Sequence, residues 1–64
     1  MVKVNGRELD IAGKSISEYL ASTDYDMSRI VIELNCVIVP KTDYATTVLR
    51  DKDNVEIVSF VGGG

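Results

Sequence analysis

Several residue types that enzymes rely on are absent from this 64-residue sequence. It contains no histidine, the side chain that most often transfers protons near neutral pH. It has no glycine-rich phosphate-binding loop of the P-loop or dinucleotide type. Its carboxylates lie mostly at turns, with no spacing that indicates paired acid–base work. We therefore expect that the chain carries no catalytic site and binds no cofactor or metal of its own.

Cysteine is almost absent too, and Cys36 is the single thiol. An internal disulfide is excluded, and since small secreted domains depend on such bonds, the sequence predicts a cytoplasmic protein. The N-terminus shows no signal peptide, and apolar runs such as residues 36–39 are too short to span a bilayer. We interpret Cys36 as a turn residue, since reactive cysteines usually lie beside basic groups and no basic residue adjoins Cys36 in the sequence.

Basic clusters are missing as well. Ten acidic residues against seven basic ones give a net charge of −3. Nucleic acid and anionic membrane are therefore not expected as partners, whereas a basic protein surface is favoured.

The length permits one small domain, which we place at residues 1–60, followed by a flexible glycine tail at residues 61–64. Asn5-Gly6 between alternating segments predicts a β-hairpin. Ser15 and Glu18 have the spacing of a helix capping box, and a short helix follows them. Apolar, β-branched runs predict strands over residues 29–34 and 37–39, and over the final stretch from residue 54.

The elements are thus two strands, one helix, two strands, a helical turn near residues 43–45 and a last strand. This order predicts an α+β roll in which a mixed sheet of four to five strands packs on one helix. If Val55 and Ile57 face the helix, then Val58 and Phe60 face the opposite side of the sheet, together with Val31 and Glu33. These side chains, with Val61, form a predicted docking surface that leads to the tail.

The chain ends in Gly62-Gly63-Gly64. Glycine has no Cβ, so this segment can enter a slot too narrow for other residues. The carbonyl carbon of Gly64 is also unhindered, and a second protein could activate it by adenylation. A frayed terminus is the alternative interpretation of these residues.

The order of elements and the diglycine end resemble the ubiquitin-like β-grasp fold, and in particular the ThiS family of thiamine-biosynthesis sulfur carriers. The resemblance extends over the whole chain. It is carried by segments at residues 4–6, 25–26, 31–35, 39–40, 53–58 and 60–64, together with Tyr44 and Leu49. Two positions depart from it, because Cys36 and Lys52 stand where family members often have glycine.

The resemblance implies that an activating enzyme adenylates the carboxylate of Gly64 with ATP and magnesium. Sulfur from a donor enzyme such as cysteine desulfurase then displaces AMP, and the resulting thiocarboxylate serves a thiazole synthase. Gly62 and Gly63 would thread the tail into the partner's active site.

Three other functions compete with this one. The small subunit of molybdopterin synthase shares the fold and the tail, although that family often has prolines before the tail. A ubiquitin-like modifier would often carry a basic residue before the diglycine, and residues 59–61 contain none. A non-reactive interaction domain is the third, since one fold hosts many functions.

Overall fold

The computed structural model describes residues 1–60. Five strands and one α-helix follow one another along the chain. The strands are β1 (Val2–Val4), β2 (Arg7–Leu9), β3 (Ile30–Leu34), β4 (Val37–Val39) and β5 (Asn54–Ser59), and the helix is α1 (Ile16–Ala21). Short 3₁₀ helices span Met27–Arg29 and Lys41–Asp43. The predicted roll is confirmed, although the sequence did not indicate the first 3₁₀ helix.

The strands form one mixed sheet in the order β2-β1-β5-β3-β4. β5 lies at the centre, parallel to β1 and antiparallel to β3. Two hairpins, β1–β2 and β3–β4, flank it on either side. The last strand of the chain is therefore the one that joins the two hairpins into a single sheet.

Helix α1 begins at the predicted capping box. Ser15 Oγ accepts a hydrogen bond from the Glu18 amide at 3.1 Å, and the Ser15 amide donates to Glu18 Oε1 at 2.8 Å. Both bonds satisfy amides that the first helical turn leaves without partners. Ile16 and Leu20, four residues apart and so on the same side of the helix, face the sheet and are buried.

The core lies between α1 and one face of the sheet. Its members are apolar side chains from three strands, the helix and the loop after β4: Val2, Val4, Ile16, Leu20, Ile30, Ile32, Tyr44, Leu49, Val55 and Ile57. Tyr44 and Leu49 come from that loop, and backbone bonds fix it to the segment before the helix. A loop without a long element of its own thus closes the core.

Several turns place residues other than glycine at positive φ. In the β1–β2 turn Asn5 has φ 49° and Gly6 has φ 83°, which is the geometry of the predicted Asn-Gly hairpin. In the β3–β4 turn the positive angles fall on Asn35 and on Cys36, which has φ 70°. Lys52 has φ 73°. The backbone geometry that glycine favours is therefore kept at both positions where the family resemblance predicted glycine.

No helix within residues 1–60 is long and apolar enough to cross a membrane.

Candidate functional site

The face of the sheet that points away from α1 carries a mixed apolar and acidic surface. Alternation in β3, β4 and the C-terminal part of β5 places six side chains there, and we call this part of the surface the open face: Val31, Glu33, Ile38, Glu56, Val58 and Phe60. Of these, Ile38, Val58 and Phe60 expose 63%, 48% and 54% of their surface, whereas Val31 and Glu33 are half-buried. The larger apolar side chains on this face are thus available to a partner.

The structure brings four of the predicted docking residues together. Val31 lies directly opposite Val58 across the β3–β5 pair, and Glu33 is two residues further along the same strand. Phe60 follows β5 and continues its ladder, since its amide donates to the Arg29 carbonyl at 2.7 Å. The other predicted residues, Val61, Gly62, Gly63 and Gly64, lie outside the described part of the chain.

Ile38 belongs to the open face, but the sequence reasoning did not select it. The two-residue turn Asn35-Cys36 sets Leu34 opposite Val37, and this register places Ile38 opposite Glu33. The length of the turn was the available signal, because in a hairpin loop length fixes the register.

Two carboxylates face each other on this surface. Glu33 and Glu56 are direct partners in the β3–β5 register. Like charges directly opposite one another on a sheet destabilise it. The ion pairs found within residues 1–60 are Met1–Asp51 and Arg29–Asp26, so neither glutamate has a cationic partner in that part of the chain. A basic group supplied by a docking protein would relieve this repulsion.

The Asn5 side chain completes the pairing of β5 where β1 ends. The backbone amide of Asn5 donates to the Val55 carbonyl at 2.9 Å. Its side chain then reaches further along the strand: Oδ1 accepts from the Ile57 amide at 2.8 Å, and Nδ2 donates to the Ile57 carbonyl at 3.3 Å. A turn residue of the first hairpin thereby acts as one more residue of strand β1. Sequence reasoning assigned Asn5 only to the turn.

Arg29 and its neighbours hold the other side of β5 near the tail. Asp26 caps the short 3₁₀ helix by accepting from the Ser28 amide at 3.0 Å and from its hydroxyl at 2.7 Å. These two bonds lower the pKa of the Asp26 carboxyl, and the Arg29 charge 3.6 Å away lowers it to a smaller extent. The capped helix fixes the position of the Arg29 carbonyl, which accepts from Phe60.

The described residues contain no cluster of three or more His, Cys, Asp or Glu side chains that could hold a metal ion. Cys36 is exposed in the β3–β4 turn. The features in residues 1–60 that point to function are therefore the open face and the end of β5.

A β-grasp roll whose last strand is followed in the sequence by a run of glycines is typical of the class of small ubiquitin-like carrier proteins. Within that class, the model of the ThiS family matches residues 2–64, and the chain belongs to this family. It is thus a ThiS-type sulfur carrier of thiamine biosynthesis.

Relatives of known name agree with this assignment. The sulfur carrier protein ThiS of Bacillus subtilis is 37% identical over 68 aligned positions, covering 100% of both chains. A thiazole synthase of Paramagnetospirillum magneticum is 37% identical over 62 residues, which are 95% of this chain but only 19% of that protein. The crystal structure of the thiamine biosynthesis protein ThiS from Geobacter metallireducens superposes with a TM-score of 0.79 at 28% identity, covering 98% of this chain and 97% of that one.

Proposed function

We propose that the chain carries sulfur on its C-terminal glycine and delivers it for thiazole formation. The observation that supports this most directly is the ThiS-family match, which extends through residue 64 and so includes the glycine tail. The chain itself acts as a co-substrate, and the catalytic groups belong to its partners.

The proposed chemistry begins at the carboxylate of Gly64. One carboxylate oxygen attacks the α-phosphorus of ATP on an activating enzyme, pyrophosphate leaves, and magnesium balances the phosphate charge. The outer sulfur of a persulfide on a donor enzyme such as cysteine desulfurase then attacks the carbonyl carbon, and AMP departs with the former carboxylate oxygen. A thiol attacks the donor-side sulfur of the resulting acyl disulfide, so that a disulfide forms on the donor and a thiocarboxylate remains on Gly64.

Activation is necessary because a carboxylate is a poor electrophile until its oxygen is part of a good leaving group. Gly62 and Gly63 suit the approach to such a site, since neither has a side chain to exclude it from a narrow slot. ATP and magnesium are assigned to the activating enzyme.

The open face is the proposed docking surface for these partners. Val58 and Phe60 supply exposed apolar area immediately before the tail, and Val31 extends that area across β3. Glu33 and Glu56 add a negative charge that a basic partner surface would neutralise. We assign the thiazole synthase as the final acceptor because this domain is similar to part of a relative with that name.

Mass spectrometry of the C-terminal peptide tests the chemistry. The chain is incubated with extract of its source organism, ATP and cysteine, and a parallel sample lacks ATP. We expect ATP-dependent replacement of oxygen by sulfur on Gly64. Fragmentation must locate the change, because oxidation of a methionine or of Cys36 alters the mass by nearly the same amount.

The matched control is a chain that lacks Gly63 and Gly64. It is expected to fold like the wild type and to accept no sulfur. An unmodified wild-type tail, in an extract that loads a known carrier, would contradict the proposal. An isopeptide adduct through Gly64 would instead identify a protein modifier.

A further inference from the structure

The backbone of β5 has an uncovered edge just before the tail. In the β3–β5 ladder, every second residue of β5 bonds to the facing strand. The Asn35 amide donates to the Asn54 carbonyl, and the Phe60 amide donates to the Arg29 carbonyl. Even-numbered residues of β5 therefore direct their amide and carbonyl groups toward β3. Odd-numbered residues, including Ser59, direct theirs toward the β1 side.

On the β1 side the partners stop at Ile57. The Val55 carbonyl accepts from the Asn5 backbone, and both backbone groups of Ile57 are bonded to the Asn5 side chain. Strand β1 reaches no further, because its register with β5 ends at Val4 opposite Val55. Within residues 1–60, the amide and carbonyl of Ser59 have no hydrogen-bond partner, and Ser59 is exposed.

We propose that the backbone of Ser59 is a β-strand docking site, at which an extended segment of the thiazole synthase pairs with β5. This inference rests on the proposed function and specifies how that partner engages the chain. An uncovered strand edge is a ready template for such pairing. The partner strand would take the position that β1 vacates beyond Asn5.

The thiazole synthase is the occupant we assign, because a relative of that name includes a segment similar to this domain in the same polypeptide. Pairing at Ser59 lies two residues before Val61, so it fixes the direction in which the chain leaves the domain. The Val58 and Phe60 side chains would contact the same partner from the open face. Backbone pairing sets the register, and these side chains add apolar contact.

Amide hydrogen exchange by NMR, on the full chain alone and with its cognate thiazole synthase, tests the inference. In the free chain the Ser59 amide is expected to exchange about tenfold or more faster than the Val58 amide, which faces β3. In the complex the Ser59 amide is expected to become protected by a similar factor. A Ser59 amide already protected in the free chain would overturn the proposal.

A pair of variants separates the backbone from the side chain. Ser59→Pro removes the amide donor from the uncovered edge without breaking a bond to β3, and proline is tolerated on such edges. It is expected to keep the wild-type melting temperature and to weaken synthase binding by about tenfold, the value of one hydrogen bond. Ser59→Ala keeps the amide and should bind like the wild type.

The remaining outcomes overturn different parts of the proposal. A complex in which the Ser59 amide still exchanges freely overturns the edge pairing and leaves the proposed function intact. If the Ser59 amide becomes protected when the chain is concentrated without the synthase, a second copy of the chain is the occupant. That result overturns the assignment of the thiazole synthase. Protection by the activating enzyme but not by the synthase overturns it as well. Failure of the wild-type chain to bind the synthase or to acquire sulfur overturns the proposed function and the inference with it.

Discussion

Single residues at positive φ carry a measurable cost in this fold. Cys36 has φ 70° and Lys52 has φ 73°, although both have a Cβ that disfavours this region. The left-handed conformation costs such residues about 1–2 kcal/mol. Both turns lie where β5 begins, at the opposite end of that strand from Phe60, so these two positions are expected to affect stability and not sulfur transfer.

Cys36→Gly tests directly whether the positive φ at this position destabilises the fold. The substitution creates an Asn-Gly turn between β3 and β4, the sequence that type I′ hairpins favour. Relief of the strain is partly offset by the entropy that glycine loses on folding, so we expect a gain of about 0.5–1 kcal/mol in the free energy of unfolding. Urea denaturation measures it.

Gly6→Ala is the matched control for that substitution. Gly6 has φ 83°, and no atom lies within 4 Å of the position that a Cβ would occupy. The alanine variant therefore reports backbone strain without a steric clash, and a loss of about 1 kcal/mol or more is expected. Equal stability of all three chains would show that the turns relax to another type.

Removal of the Asn5 side chain is expected to destabilise strand β5. Asn5→Gly keeps the positive φ but removes both side-chain bonds to the Ile57 backbone. We expect a loss of about 1–3 kcal/mol in the free energy of unfolding, because two backbone groups lose their partner. Faster exchange of the Ile57 amide, with the Asn35 amide unchanged, would locate the effect. Unaltered exchange at Ile57 would contradict it.

Among the elements, the β3–β5 pair contains a built-in repulsion. Glu33 and Glu56 face each other on the open face. Glu56→Gln is expected to raise the free energy of unfolding by about 0.2–1 kcal/mol, and the gain should shrink in concentrated salt. Thermal melts at low and high ionic strength measure both effects.

Glu8→Gln is the control for Glu56→Gln, because it removes a negative charge from an attractive pair. Glu8 lies opposite Lys3 in the β1–β2 register, so this pair joins unlike charges. The variant should lose a little stability or none. A gain at Glu8 as large as that at Glu56 would show that net negative charge, and not the facing glutamates, is responsible.

Helix α1 makes folding sensitive to acid. The hydrogen bonds from Ser15 lower the pKa of the Glu18 carboxyl in the folded chain. Its contribution is therefore complete above the pKa of an unfolded glutamate, about 4.3, and is lost as the pH falls through the lower folded value. Glu18→Gln should flatten the decline in melting temperature below that pH. Parallel pH profiles for variant and wild type would contradict the assignment.

The sequence specified most of these elements because each has a local signal. Asn5-Gly6, the Ser15–Glu18 spacing and the β-branched run after Arg29 correctly predicted the first hairpin, the helix and β3. The side-chain role of Asn5 was not predictable, because it depends on a contact with Ile57 across 52 residues. The inclusion of Ile38 in the open face needed the strand register. The length of the Asn35-Cys36 turn carries that information, whereas the alternation of a three-residue strand is too short a pattern to show it.

At the scale of the whole molecule, the loop after β4 supports the core with two side chains. Tyr44 and Leu49 are each 1% exposed, and the Leu49 amide and carbonyl bond to Lys14 and Gly13 before the helix. A domain of this size has a total stability of about 3–10 kcal/mol. Every buried side chain is therefore a substantial share of the total.

Leu49→Ala should accordingly affect the whole fold. The expected loss is about 2–5 kcal/mol, enough to leave the chain partly unfolded at physiological temperature. Val48→Ala, at a neighbouring site that is 47% exposed, should change stability by about 0.5 kcal/mol or less. Loss of near-UV circular dichroism in the first variant and not the second measures the difference, and equal losses would show that the loop is not part of the core.

The central position of β5 also bears on the order in which the molecule assembles. Each hairpin forms from residues close in sequence, whereas β5 reaches β1 only by closing a loop of about fifty residues, a step that non-local contacts make slow. Until β5 inserts, the hairpins are not joined, and neither the open face nor the edge at Ser59 exists. An incompletely folded chain would thus present its glycines without the proposed docking surface. Partners that dock on this surface would therefore load sulfur only onto correctly folded copies of the chain.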